Sequence, residues 1–103
     1  MSITCTEENR CLTVHIQGEL DHHRARELMT QLDREINCAL PRKLELDLSG
    51  LTFTDSSGIA LLLRTYRNVQ ELGGTMCVRN TPQQAKKVFW AAGLQHIIPF
   101  EGV

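Results

Sequence analysis

Two hydrophobic periods alternate along this chain, and that alternation limits the folds open to it. Leu12, Val14 and Ile16 alternate with Thr13, His15 and Gln17, the period-2 pattern of a strand with one buried face. Ile3 to Thr6 is placed to pair with it as a hairpin, and Gly18 is read as the end of the strand. From Asp21 the period changes: Ala25, Leu28, Leu32 and Ile36 recur at three and four residues, with Met29 and Ala39 widening the stripe. Asp21 suits the N-cap of this helix and Pro41 stops it.

The same switch then repeats. Leu44, Leu46 and Leu48 alternate with Glu45 and Asp47 in a strand over Lys43 to Leu48. A second amphipathic helix, Ile59 to Leu72, carries Ile59, Leu62, Leu63, Tyr66 and Val69 and ends at Gly73-Gly74. Met76 and Val78 mark the next strand. Thr81-Pro82 starts a third helix, with Pro82 at its first position, which runs through Val88, Phe89 and Ala92 to a stop at Gly93 before a short strand at Ile97-Ile98. The predicted order is β-β-α-β-α-β-α-β.

Strands separated by helices pair in parallel through right-handed crossovers. Parallel strands covered on both faces read as unbroken apolar runs, whereas these alternate with Thr13, Gln17, Glu45 and Asp47, so the helices are expected chiefly on one face. The expectation is an α/β fold with a mixed, mainly parallel sheet, a β-α superhelix rather than a doubly wound sheet. Right-handed crossovers place every strand-to-helix loop at the carboxyl edge, where open α/β folds hold their ligands. Two such loops stand out, Gly18 to His23 and the longer Ser49 to Ser57 segment, so Asp21 and Ser56 are predicted to share one edge.

Size and charge narrow the function. A chain of 103 residues with 42% apolar content suits one domain over residues 1–103 that needs neither disulfide nor metal for stability. The net charge is −1 and the basic residues are scattered among acidic ones, which argues against nucleic acid as a partner. The stretch Met1 to Glu8 is polar and acidic, and no apolar run is longer than that of Ile59 to Leu63, far too short to cross a bilayer, so a cytoplasmic protein without a membrane partner is expected. Cys5, Cys11, Cys38 and Cys77 lack the C-x-x-C spacing of zinc and redox motifs and are read as free, mostly buried thiols.

Asp55-Ser56-Ser57-Gly58 places two hydroxyls at a helix start, where unpaired N–H groups and the positive end of the macrodipole favour an incoming phosphate. An ordinary cap explains Asp and Ser there equally well. Gly58 in the first turn costs about 1 kcal/mol of helix propensity against Ala, a hint that something approaches the backbone closely. Asp21-His22-His23 would suit a metal site only with further ligands, and adjacent helical residues point about 100° apart, so a capped helix start with surface histidines is preferred. His15 and His96 stand alone as solvated side chains. A serine hydrolase would need a base beside Ser56, for which His22 and His23 are the candidates, but the Gly-x-Ser-x-Gly elbow is missing. No Walker loop, Gly-x-Gly-x-x-Gly or His-Glu-x-x-His occurs, so no catalytic residue, metal or cofactor is expected.

Taken together, Gly18-Glu19-Leu20-Asp21-His22-His23, then Leu51 to Ile59 around Asp55-Ser56-Ser57-Gly58, then Gly73-Gly74, then Phe89 with Ala92-Gly93-Leu94 resemble the anti-sigma-factor antagonists of the STAS family. The resemblance runs from about Cys11 to Phe100, and the Asp21-His22-His23 match points to its sporulation branch. It implies a partner switch. The unmodified antagonist binds an anti-sigma factor that is also an ATP-dependent serine kinase, freeing the sigma factor, and phosphorylation ends the binding. The modified residue of the family maps to Ser56, with a protein phosphatase 2C-like enzyme restoring the active form. Asp21, His22, Asp55, Ser57, Gly58 and Ile59 match positions around the kinase-contacting edge. The polar sheet face points to a monomer. Rival readings are a general-stress or transporter-associated STAS regulatory module without this phosphorylation, and a small serine hydrolase. The family pattern commonly continues into a final helix, whereas Glu101-Gly102-Val103 follow the last predicted strand here.

Overall fold

The computed structural model describes residues 2–102; Met1 of the polar N-terminal stretch and Val103 of the Glu101-Gly102-Val103 segment lie outside the described residues. The elements run β1 (Ser2–Glu8), β2 (Cys11–Leu20), α1 (His22–Ala39), β3 (Lys43–Thr54), α2 (Ser56–Glu71), β4 (Thr75–Arg79), α3 (Gln83–Ala91), a 3-10 turn (Leu94–His96) and β5 (Phe100–Glu101). The strands form one five-stranded sheet in the order β1-β2-β3-β4-β5. β1 is antiparallel to β2 and every later pair is parallel. Asn9 and Arg10, both at positive φ, make the tight two-residue turn that matches the twist of the β1–β2 hairpin.

The period-2 residues do what their spacing demands. Leu12, Val14 and Ile16 of β2, Leu44, Leu46 and Leu48 of β3, and Met76 and Val78 of β4 all turn to one buried face. Upon it lie Leu28, Leu32 and Ile36 of α1, Leu61, Leu62 and Val69 of α2, and Ala85 and Phe89 of α3, in a single apolar cluster. The other face stays polar: His15 Nδ1 lies 3.4 Å from Asp47, and Glu45 sits between Lys43 at 3.2 Å and Arg79 at 3.5 Å. The helices therefore cover one face of a mixed, mainly parallel sheet.

Several boundaries differ from the sequence reading. Gly18 does not end β2. Its φ of 100° belongs to an irregularity at which the β2–β3 register slips, and the strand bends and continues to Leu20. β3 accordingly extends to Thr54, so most of the predicted Ser49 to Ser57 loop is strand, paired through Gln17↔Gly50, Gly18↔Leu51, Glu19↔Phe53 and Leu20↔Thr54. Pro82 has an extended ψ of 158° and caps α3 rather than opening it. Ile97-Ile98 is no strand: Ile98 N donates to Leu94 O at 2.9 Å, closing a helical turn that buries Leu94 and Ile98, and β5 forms later at Phe100. The four cysteines are free, yet Cys77 alone is buried, while Cys5 and Cys11 are half-buried and Cys38 is exposed near the end of α1.

Candidate functional site

The site grows out of the last rung shared by β2 and β3, Leu20 opposite Thr54. Each strand is followed by a single extended aspartate and then a helix, so Leu20-Asp21-His22 and Thr54-Asp55-Ser56 are the same device used twice. Asp21 accepts from Arg24 N at 3.0 Å, and Asp55 accepts from Ser57 N at 2.8 Å. Both are N-caps that satisfy first-turn N–H groups.

The two loops are also bonded to each other. Asp55 N donates to Leu20 O at 3.3 Å, and His22 N donates to Asp55 Oδ2 at 3.2 Å. One carboxylate thus caps its own helix and receives the first backbone N–H of the neighbouring one. The bond from the Ser57 backbone, aided by the Ser57 hydroxyl and by His22, holds the Asp55 carboxyl below the usual carboxylate range despite partial desolvation. Asp21 is tied locally by Arg24 Nη1 at 2.8 Å, and the same nitrogen lies 3.4 Å from Glu19.

Ser56, the first residue of α2, is exposed, so its hydroxyl stands at a helix N-terminus within reach of another molecule. Ser57 and Ile59 are half-buried beside it, and His22 is exposed across the edge, its ring 5.8 Å from that of His23. Gly58 is different. It is buried, and a Cβ added there would overlap Thr54 Oγ1 and meet Leu20 and Phe89 at 3.4 Å. The close approach hinted at by the sequence is made by the protein's own Thr54, and Gly58 offers no side surface for docking.

Two neighbours escaped the sequence reading. Phe53 is 42% exposed on the strand end just before Thr54, in a segment read as loop rather than strand. Gln84, on the first turn of α3, holds Thr54 by two 2.9 Å hydrogen bonds to its backbone. Phe53 was visible as the aromatic in Leu51-Thr52-Phe53-Thr54, but nothing local announces a contact across thirty residues such as that of Gln84. A groove of about 500 Å³ also opens between the helix starts, lined by His22, His23, Arg26 and Met29 of α1 and Ser57 and Ala60 of α2.

Among the described residues no group of three or more His, Cys, Asp or Glu side chains could hold a metal ion, and no helix is long and apolar enough to cross a membrane. No histidine among them bonds the Ser56 hydroxyl. What this edge offers chemically is an accessible alcohol on a rigid, doubly capped platform.

The sequence matches the STAS domain over residues 2–102. It is 33% identical over 88 residues to an anti-sigma F factor antagonist of Paenibacillus polymyxa, covering 85% of this chain and 75% of that one. The fold is similar to that of the anti-sigma factor antagonist SpoIIAA in its unphosphorylated form, with a TM-score of 0.75 at 22% identity over 99% of this chain and 89% of that one. It is similar too to the Bacillus cell fate determinant SpoIIAA in its phosphorylated form, with a TM-score of 0.72 at 24% identity over 96% of this chain and 90% of that one.

Proposed function

The chain belongs to the STAS domain family, and on that premise we propose that it is an anti-sigma-factor antagonist of the sporulation type, working in the cytoplasm as a monomer. Its unmodified form binds an anti-sigma factor that is also an ATP-dependent serine kinase, phosphorylation of Ser56 ends the binding, and a protein phosphatase 2C-like enzyme reverses it. The observation that carries this reading is the exposed Ser56 hydroxyl at the start of α2, on an edge that also presents Asp21 and His22. Asp55, Ser57 and Ile59 complete the docking edge, while buried Gly58 acts only by letting α2 sit close on Thr54.

The physics of the switch lies in the interface. A phosphoserine brings about −1.5 to −2 charges to the helix N-terminus, where the dipole returns only about 0.3–1 kcal/mol and the Asp55 carboxylate opposes it. Neither effect refolds the domain. Burying the same dianion against a partner without a cation costs several kcal/mol, and each 1.4 kcal/mol is about tenfold in affinity.

The test is intact mass and peptide mapping after mixing the chain with purified anti-sigma F factor of Paenibacillus polymyxa and Mg-ATP. One phosphate on Ser56 is expected, and Ser56→Ala should bind but stay unmodified. Normal phosphate incorporation into Ser56→Ala would disprove the assignment. Binding without any phosphorylation would favour a STAS regulatory module of another kind.

A further inference from the structure

We propose that Gln84 is the positioning residue for Ser56, an inference that rests on reading Ser56 as the phosphoacceptor. β4 pairs with β3 only from Lys43 to Asp47. Beyond that, the side of β3 that faces away from β2 has no strand beside it among the described residues. In a strand the N–H and C=O of one residue point to the same side, and at Thr54 both need partners there because the residue is 0% exposed.

The side-chain amide of Gln84 supplies them. Its Oε1 accepts from Thr54 N at 2.9 Å and its Nε2 donates to Thr54 O at 2.9 Å, as a neighbouring peptide group would. α3 thereby adds one rung to the sheet at the residue where β3 ends. From Thr54 the contacts pass straight to the acceptor: the Thr54 hydroxyl donates to Asp55 O at 3.1 Å and fills the space that a side chain at Gly58 would take. Asp55 then caps α2 through Ser57 N, with Ser56 between them. Both of these Gln84 hydrogen bonds go to the Thr54 backbone and not to Ser56, so its effect on Ser56 is transmitted through the position of the strand end. Phosphoryl transfer is sensitive to such placement, since a misalignment of about 1 Å costs on the order of a hundredfold in rate.

Two substitutions test this. Gln84→Ala removes the rung. Gln84→Glu keeps the shape, but an ionised carboxylate can only accept and is repelled by Thr54 O, whereas the protonated acid again offers one acceptor and one donor. In the Ala variant, amide exchange at Thr54 should accelerate at least about tenfold, and the Ser56 and Ser57 amide resonances should move while those of Val14 and Leu46 stay. The Glu variant should match Ala at neutral pH and return to the wild-type resonances as pH falls through the carboxyl range, a recovery that a merely space-filling role would not give. With the kinase that modifies the wild-type chain, Gln84→Ala should lower kcat about tenfold and change KM less, because the Asp21 part of the docking edge is held by Arg24 and not by the end of β3.

A Glu variant whose Ser56 resonances ignore pH, or an Ala variant modified at the wild-type kcat, would overturn the positioning role. A wild-type chain that accepts no phosphate would instead sink the reading of Ser56 as acceptor. The resonance arms would then still decide whether Gln84 places that residue.

Discussion

Removing the Asp55 carboxylate should loosen both helix starts at once. In Asp55→Ala the bond from Ser57 N at 2.8 Å and that from His22 N at 3.2 Å are both lost. An N-cap is worth about 1 kcal/mol, and the second bond to a charged acceptor adds about 1 more after allowing for water that takes its place. For a domain near 100 residues, about 2 kcal/mol lowers the melting temperature by roughly 8–16 °C. Asp55→Asn keeps an acceptor oxygen and should recover about half of that.

The pH dependence has a definite sign. The folded Asp55 carboxyl titrates below its usual range, mainly through the Ser57 backbone bond. A depressed carboxyl contributes its stability in full above the unfolded value of about 3.9 and loses it as pH falls through the folded value. Thermal unfolding followed by circular dichroism should therefore show a wide gap between wild type and Asp55→Asn at neutral pH that narrows steadily towards about pH 2. A loss below about 3 °C in Asp55→Ala, or a gap undiminished in acid, would refute the argument.

The remaining outcomes follow from the same edge. Phosphorylated and unmodified chains should have nearly superimposable amide spectra away from Ser56, and shifts spread across the sheet would contradict a switch confined to the interface. Gly58→Ala should cost about 1–3 kcal/mol through overlap with Thr54 Oγ1, partly relieved by adding Thr54→Ala; a double-mutant cycle with no coupling in chemical denaturation would defeat this. Asp21→Lys should weaken binding to the kinase in calorimetry performed well below the lowered melting point, and an unchanged affinity would exclude Asp21 from docking. Cys38, exposed, should be alkylated first, and Cys77 last, its pKa pushed up to about 12 by burial and then by Glu101; equal rates by mass spectrometry would contradict that order.

Periodicity was enough to place the helices and most of the strands. Leu12, Val14 and Ile16, or Leu28, Leu32 and Ile36, can bury one face in only one kind of element. Asp21 and Asp55 could be read as caps because capping is local chemistry. Pairing across the sheet could not. Gly18 resembles a strand end until β3 runs alongside it, and Ser49 to Thr54 lacks strict alternation because the register slips there. Ile97-Ile98 imitates a strand in composition, while its backbone closes a turn that buries Leu94. The sequence placed Ser56 at a helix start and Gly58 against something close; only the folded chain identifies that something as Thr54, with Gln84 behind it.

The strands lie side by side in the order in which they are linked, so the sheet can be laid down outward from its N-terminal hairpin as synthesis proceeds. The end of β3 has β2 for company early, yet its last two backbone partners come from a side chain thirty residues further on. On the proposed positioning by Gln84, Ser56 reaches its final setting only once α3 has docked, which would reserve recognition of that serine for chains whose C-terminal third is already in place.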